Sequence, residues 1–92
     1  DEPAADLPVV LALVSNLLDK PIPADLAAFG EVGLAGEIRT VQSVRQRVGE
    51  CSRLGFTRIV LPKSSMSHLQ EPVAGVELLP VSNLAQALAL IR

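Results

Sequence analysis

The sequence predicts an α/β domain with a largely parallel sheet; α+β is the alternative class. Two short apolar runs, residues 57–61 and 76–81, have the length and composition of buried strands. Helix-like segments lie before and between the predicted strands, and this alternation is typical of parallel strands joined by crossovers. A third observation, the spacing of Gly30, Gly33 and Gly36, predicts a glycine-turn hairpin beside the sheet.

The first element is expected to be a helix that has Asp6 as its N-cap and ends near Leu18. Pro8 lies in its first turn, where a proline loses no hydrogen bond, and Pro21 and Pro23 stop the helix from continuing. Aliphatic side chains occupy nearly every face of this helix, so nearly every face needs cover. We therefore expect it to pack against another subunit or against polypeptide outside this sequence.

Two strands joined by the glycine turn, and then a second helix, are expected in the middle of the chain. Their predicted bounds are residues 26–32 and 37–41 for the strands, 33–36 for the turn and 43–54 for the helix. The helix has one narrow apolar stripe, made of Val44, Val48, Cys51 and Leu54. Gly55 follows in the C′ position, where glycine ends many helices.

The last third of the chain is expected to form a strand, a loop, a strand and a helix. Their predicted bounds are residues 57–61 and 76–81 for the strands, 63–71 for the loop and 83–91 for the helix. Pro62 stops the first of these strands, because proline fixes φ and lacks a backbone donor. Ser82 is the predicted cap of the final helix.

Composition limits the classes of function. A chain of 92 residues is one domain or part of one, and its net charge of −2 gives no general attraction to nucleic acid or to an anionic membrane. The single cysteine, Cys51, excludes an internal disulfide, and together with the single histidine, His68, it cannot supply four zinc ligands. The apolar run at residues 7–18 is too short to span a bilayer core of about 30 Å. We therefore expect a cytoplasmic domain without a metal site or a membrane segment.

Several segments resemble, without gaps, the active-site scaffold of Lon-type serine peptidases. That family carries Asp-Gly-Pro-Ser-Ala-Gly at the start of a helix, where residues 1–6 here read Asp-Glu-Pro-Ala-Ala-Asp. The family then has a proline, an aspartate and Thr-Gly-Glu, at the spacing of Pro21, Asp25 and residues 29–31 (Phe-Gly-Glu). Its Gly-Gly-Leu-Lys falls on residues 42–45, Gln-Ser-Val-Arg. The resemblance implies a Lon-protease-like proteolytic-domain fold with flanking helices.

Both residues of that family's catalytic dyad are replaced in this chain. Ala4 stands at the position of the nucleophilic serine and Arg45 at that of the lysine. Alanine has no nucleophilic atom, and arginine, which keeps its proton, cannot act as a general base. The resemblance therefore implies a domain without peptidase activity. A working Lon-type serine peptidase is the alternative only if Ala4 replaces an original serine and Arg45 is not the counterpart of the lysine.

A narrower resemblance covers nearly the whole chain. Phe-Gly-Glu-Val-Gly-Leu-Ala-Gly-Glu-Ile-Arg and Leu-Gly-Phe-Thr-Arg-Ile-Val-Leu-Pro-Lys are similar to the C-terminal domain of the RadA (Sms) family of bacterial DNA repair and recombination proteins. The resemblance implies that residues 1–92 are the C-terminal portion of one Lon-like domain in a longer protein. It implies ATP, Mg²⁺ and zinc sites in that parent protein, whereas this chain contains no ATP-binding P-loop string. It further implies homo-oligomeric assembly as a ring, typically a hexamer, and a contribution to DNA binding.

Basic side chains are the candidates for contact with DNA phosphates, which would position the domain without reading sequence. They are Arg39, Arg45, Arg47, Arg53, Arg58 and Lys63. A solvated helix face is the alternative for Arg45 and Arg47, with equal weight. A protein-interaction module without a DNA role is a further alternative for the whole domain. The three turn glycines are assigned to backbone geometry and not to ligand binding.

Three remaining features favour structural roles. Cys51 lies on the apolar stripe of its helix, so it is expected to be a small core residue and not a nucleophile. His68 is expected to be a solvated loop residue. Lys63 with Ser64 or Ser65 could form a displaced dyad, but adjacent loop residues seldom share the buried geometry that lowers the pKa of a lysine.

Overall fold

The computed structural model describes residues 2–91. It contains three α-helices, five short strands and two 3-10 helices within those residues. The helices are α1 (Asp6–Leu18), α2 (Val44–Arg53) and α3 (Leu84–Ala89), and the 3-10 helices are Pro3–Ala5 and Lys63–His68. The strands are β1 (Leu26–Ala28), β2 (Glu31–Val32), β3 (Ile38–Arg39), β4 (Arg58–Pro62) and β5 (Glu77–Val81).

The strands form a parallel sheet and a separate hairpin. The sheet has the order β1-β4-β5, with Ala27 opposite Ile59 and Ile59 opposite Leu78. Strands β2 and β3 pair antiparallel through Glu31–Arg39 and Val32–Ile38. This arrangement confirms the predicted α/β class, the largely parallel sheet and the glycine-turn hairpin.

Two apolar clusters lie on the two faces of the sheet. Helices α1 and α3 cover one face and α2 covers the other. The central strand β4 supplies both clusters, because successive side chains of a strand point to opposite faces. Its Val60 joins the α1 cluster, whereas Ile59 and Leu61 join the α2 cluster, and none of the three is exposed. Burial on both faces explains why β4 is a continuous apolar run in the sequence.

The predicted single strand over residues 26–32 is wrong. It divides into β1 and β2, which belong to different sheets, and the chain turns between them at Phe29 and Gly30. Gly30 leaves the sheet because its N–H donates to the Ala4 carbonyl and its carbonyl accepts from the Leu7 N–H. Both donor–acceptor distances are 2.9 Å. The following strand is also shorter than predicted, with β3 confined to Ile38–Arg39.

Both predicted N-caps are wrong by one residue. The 3-10 turn Pro3–Ala5 leads directly into α1, so Asp6 is already helical, and its carboxylate instead accepts from the Val32 N–H at 3.2 Å. At α3 the cap is Asn83, whose side chain accepts from the Gln86 N–H at 2.9 Å. The Gln86 side chain in turn accepts from the Ser82 N–H at 2.7 Å, which gives a reciprocal arrangement.

Two further expectations need correction. Leu54 does not join the buried stripe of α2, because it follows the last helical residue and is 62% exposed. The segment predicted to be a loop begins with the 3-10 helix Lys63–His68. The connection from β4 to β5 therefore contains no α-helix, unlike the crossover from β1 to β4, which contains α2.

Helix α1 has apolar side chains on two opposite sides. Leu7 and Leu11 face the core and are at most 1% exposed, whereas Val9, Leu13 and Leu17 are 55–84% exposed. The fully apolar surface predicted from the sequence is therefore only half covered within residues 2–91. None of the helices in this part of the chain has the length and apolarity that a membrane span requires.

Asp25 and Arg58 form an ion pair where β1 and β4 begin. Arg58 donates to both carboxylate oxygens, with Nε–Oδ2 and Nη2–Oδ1 distances of 2.9 and 3.0 Å, and the Thr57 hydroxyl donates to Oδ2 at 3.1 Å. These hydrogen bonds, mainly those from Arg58, lower the pKa of Asp25 to about 2. The pair links two neighbouring parallel strands at one edge of the sheet.

We expect Asp25 to stabilise the fold above about pH 4 and to lose this effect as the pH falls toward 2, because its folded-state pKa lies below the unfolded value of about 3.9. The free energy of unfolding in urea, measured from pH 6 to pH 2 for the wild type and Asp25→Asn, should show a gap that closes with acidification. Glu71→Gln is the control, since Glu71 forms no ion pair within residues 2–91. A gap that stays constant with pH would contradict the assignment.

Candidate functional site

The structure forms a small polar cleft around Ala4. The cleft has a volume of about 290 Å³ and lies between the amino-terminal 3-10 turn, the β2–β3 hairpin and α2. Its lining consists of Glu2, Pro3, Ala4, Glu31, Thr40, Val41, Gln42 and Arg47. Three separate parts of the sequence therefore meet at the position where the resemblance places a catalytic serine.

Ala4 is held firmly in this cleft. Its side chain is 4% exposed and joins the cluster beneath α2. Its N–H donates to the Glu2 carboxylate at 3.3 Å, and its carbonyl accepts from Gly30 at 2.9 Å. Both backbone groups are thus bonded, and the only side-chain atom available to a reaction is an unreactive methyl carbon.

The guanidinium group in the cleft belongs to Arg47. Its Nη2 lies 2.8 Å from the Glu2 carboxylate, and its Nε donates to the Gln42 carbonyl at 2.7 Å. The sequence predicts Arg47 as a candidate for phosphate contact or as part of a solvated helix face, and it assigns no role to Glu2. No sequence signal would have paired them, because 45 positions separate the two residues and the pair depends on how α2 docks.

Arg45 lies outside the set of residues that line the cleft. It is exposed and borders a neighbouring surface pocket that His68 also lines. The helix begins abruptly here, since Ser43 adopts a left-handed conformation (φ 58°) and gives no side-chain cap. The structure therefore brings Ala4 together with Arg47 and does not place Arg45 in the same lining.

An ion-pair cluster stiffens the hairpin beside the cleft. Arg39 lies 3.3 Å from Glu31 and 3.1 Å from Glu37. The backbone N–H of Glu37 itself, then Arg39 and the Ala35 N–H, lower the pKa of the Glu37 carboxyl. A Cβ at position 33 would lie 2.2 Å from the Glu37 carboxylate, so a larger residue there would displace that flexible side chain from its present hydrogen bonds.

The six basic candidates are spread over four elements. Arg39 lies on β3, three of them (Arg45, Arg47 and Arg53) on α2, Arg58 on β4 and Lys63 at the second 3-10 helix. Four already have carboxylate partners, because Arg53 pairs with Glu50 in addition to the pairs of Arg39, Arg47 and Arg58 described above. Within residues 2–91, Arg45 and Lys63 are the two without such a partner.

The hydroxyl groups after Lys63 are engaged in holding the hairpin to β4. Ser65 is fully buried, and its Oγ accepts from the Val41 N–H at 3.2 Å. The Ser64 hydroxyl bonds to the Thr40 hydroxyl. These contacts fix the segment that leads from the hairpin into α2, whereas Lys63 is exposed.

Cys51 and His68 lie apart from the Ala4 cleft. Cys51 is half-buried against the α2 cluster, and burial, followed by the nearby Glu50 charge, raises the pKa of its thiol. A raised pKa disfavours the thiolate, which is the reactive form. His68 is exposed at the end of the second 3-10 helix. Across residues 2–91, no three His, Cys, Asp or Glu side chains converge as metal ligands would.

The fold and the cleft together define a Lon-like α/β domain, and comparison with protein families agrees. Residues 1–90 match the Lon protease (S16) C-terminal proteolytic domain, so the chain belongs to that family. Among individual proteins it is similar to the "DNA repair protein RadA" of several bacteria. It is 46% identical over 88 residues to that of Salmonella typhimurium, 43% over 88 residues to that of Escherichia coli and 44% over 89 residues to that of Bacillus subtilis.

These relatives are much longer than the chain. In each of the three, the match covers 96% of this chain but only 19% of the relative. The resemblance to the RadA family that the sequence predicts is confirmed: the chain is similar to a segment of RadA proteins and carries the Lon family's domain.

Proposed function

We propose that this chain is a Lon-like domain that has lost peptidase activity and acts as an assembly domain in a longer, RadA-type DNA repair protein. The observation that carries the proposal is the chemistry of the cleft. Ala4 occupies the position that the resemblance assigns to the nucleophile, and the cleft beside it holds the Arg47–Glu2 ion pair and no lysine. Acyl transfer by a dyad needs a hydroxyl and a lysine able to accept its proton.

The lining residues also argue against a relocated dyad. The cleft lining contains neither serine nor lysine among residues 2–91, and its one hydroxyl, that of Thr40, is bonded to Ser64. Ser65 cannot reach substrate because it is fully buried. The working serine peptidase therefore remains an alternative without a supporting observation.

The experiment is a peptidase assay of the full-length protein with ATP and Mg²⁺, using unfolded casein as substrate and an active Lon protease as the positive control. We expect casein hydrolysis to be no faster than in a protein-free control. Hydrolysis that disappears in an Ala4→Val variant would overturn the proposed inactivity. Hydrolysis that persists in this variant would be assigned to a contaminant and excluded by further purification before the comparison is repeated.

Among the basic candidates, we propose Arg45 and Lys63 for contact with DNA phosphates, because a guanidinium already paired with a carboxylate has less to gain from phosphate. For DNA binding by the full-length protein, the slope of log K against log salt concentration should be smaller in magnitude by about 1.5–2 in the Arg45→Ala/Lys63→Ala double variant. Arg53→Ala, which removes a paired cation, is the matched control and should change the slope little. An unchanged slope in the double variant favours an interaction module without a DNA role.

The cofactors implied by the resemblance do not fit this chain. Zinc needs about four ligands, and residues 2–91 offer no cluster of even three. ATP bound through a P-loop needs a motif that the sequence lacks. We therefore propose that ATP, Mg²⁺ and zinc are held elsewhere in the parent protein, which we place in the cytoplasm as a ring-shaped homo-oligomer, a hexamer by resemblance.

A further inference from the structure

A second polar pocket adjoins the Ala4 cleft and shares residues 40–42 with it. Its volume is about 490 Å³, and it is lined by residues 40–45 and by His68. The pocket lies where the segment that enters α2 meets the end of the second 3-10 helix. Such a volume is within the range of pockets that hold small ligands.

The second 3-10 helix holds His68 at this pocket. Residues three apart lie on the same side of a 3-10 helix, so His68 lies on the side of Ser65. Ser65 is fully buried, and its Oγ accepts from the Val41 N–H at 3.2 Å. The last turn is closed by the Leu69 N–H, which donates to the Met66 carbonyl at 3.0 Å. His68 is exposed, as the sequence predicts, but its position beside the segment that leads into α2 is fixed.

Four polar side chains of this lining have unused hydrogen-bonding capacity. They are Gln42, Ser43, Arg45 and His68. Within residues 2–91, none of these four side chains forms a hydrogen bond or an ion pair with another protein group. Each of them is able to donate, through an amide, a hydroxyl, a guanidinium or an imidazole N–H. The pocket therefore offers several free donors that come from two elements.

The charge of the lining favours an anion. Arg45 supplies a permanent positive charge, and no carboxylate is among the lining residues. The Ala4 cleft differs, because Glu2 and Glu31 line it and its Arg47 is already paired with Glu2. An arginine fork matches the oxygens of a phosphate or a carboxylate.

The number and placement of the donors favour a terminal phosphate group over other anions. A phosphomonoester has three terminal oxygens and a charge of about −1.5 to −2 near pH 7. A carboxylate and a backbone phosphodiester each have only two free oxygens. Donors on both sides of the pocket, one set on residues 42–45 and one on His68, are best used by the group with three.

We infer that this pocket binds a terminal phosphate group, with Arg45 and His68 as its main ligands and Gln42 and Ser43 as further donors. The phosphate is carried either by the 5′ end of a DNA strand or by a small phosphorylated molecule. The inference deepens the phosphate contact proposed for Arg45, on which it rests where DNA is the source. It adds His68, which the sequence predicts only as a solvated residue.

The test is equilibrium dialysis of the full-length protein against radiolabelled inorganic phosphate. The wild type should bind one phosphate per chain more than Arg45→Ala, and phosphate sites elsewhere in the protein cancel in this difference. His68→Ala should weaken binding at the same site about tenfold, the effect of losing one hydrogen bond to a charged group. Both residues are exposed, so both variants should keep the wild-type melting temperature.

Arg53→Ala is the matched control, because Arg53 lies on the same helix and is already paired with Glu50. It should bind phosphate as the wild type does. Equal phosphate binding by the wild type and Arg45→Ala would overturn the inference. An equal loss in Arg53→Ala would overturn it too, since the attraction would then be a diffuse effect of net charge.

A second measurement identifies the source of the phosphate. Fluorescence anisotropy compares one oligonucleotide with a 5′-phosphate and with a 5′-hydroxyl. Tighter binding of the phosphorylated strand that is lost in His68→Ala assigns the pocket to DNA ends. Equal binding of the two strands, with inorganic phosphate still held through Arg45, assigns it to a small phosphorylated molecule.

The outcomes separate this inference from the proposed function. If phosphate binding requires Arg45 but the salt dependence of DNA binding is unchanged in the Arg45→Ala/Lys63→Ala double variant, the pocket stands and the proposed DNA contact fails. If the salt dependence changes as expected but Arg45→Ala binds as much inorganic phosphate as the wild type, the DNA contact stands and the pocket is wrong.

Discussion

Replacing Leu11 with alanine is expected to lower the free energy of unfolding by about 2–5 kcal/mol, which is the largest effect predicted for this chain. Leu11 is 1% exposed and lies in the cluster between α1 and the parallel sheet, where the neighbouring side chains cannot collapse fully into the space that it leaves. Equilibrium unfolding in urea, followed by circular dichroism, measures the change through the shift of the midpoint.

Leu13→Ala on the same helix is the matched control. Leu13 is 60% exposed, and alanine favours helix as strongly as leucine does, so the change in stability should stay within about 0.5 kcal/mol. Equal losses for the two variants would mean that the exposed side of α1 is covered in solution. That result would contradict the division of α1 into a core side and an outer side.

Replacing Gly30 with alanine is expected to cost about 1–3 kcal/mol through overpacking. A Cβ at this position would lie 2.9 Å from Ile38 Cγ2 and 3.4 Å from Leu7 Cδ2, and both of these side chains are buried. Because Gly30 also bonds to the Ala4 carbonyl, the substitution should loosen the cleft as well as the core. Urea unfolding measures the loss of stability. The loosening of the cleft is measured by amide hydrogen exchange at residue 30, compared between the wild type (glycine) and the variant (alanine).

Gly49→Ala provides the control for Gly30. Gly49 lies within α2, and no atom lies within 4 Å of the position that its Cβ would take. The substitution should therefore stabilise the protein by about 0.5–1 kcal/mol, since glycine is a poor helix former. If both glycine variants changed stability in the same direction, the close approach at Gly30 would not be what fixes that residue as glycine.

The Ala4 cleft is a product of the core and not of a flexible surface loop. Gly30 connects the start of α1 to the hairpin, and Ser65 connects the end of the hairpin to the segment after β4. Under the proposed function, this framework is retained with Ala4 at the position of the nucleophile, so the domain would keep the rigidity of the fold without its chemistry. A rigid framework of this kind supports the assembly role that we propose.

Local patterns predicted those elements whose burial is visible in their own sequence. The run at β4 was recognisable because both of its faces are buried, and α2 because Val44 and Val48 repeat at helical spacing. Gly30 alone did not predict the break, because an isolated glycine in a strand pattern also fits a bulge, and the turn depends on hydrogen bonds to Ala4 and Leu7.

Reading the residues in order was enough to predict the α/β class, the glycine turn, the family, and the lack of a serine and a lysine at the positions that the resemblance assigns to the dyad. These follow from residue identity and from order along the chain, which need no knowledge of distant contacts. Which charged side chain enters the cleft depends on how the elements pack in three dimensions. Arg47 meets Glu2 there, while Arg45 stays outside, because the docking of α2 brings together residues that are far apart in the chain. Tertiary packing also divides α1: its inner side packs on the sheet, and its outer side is exposed within residues 2–91.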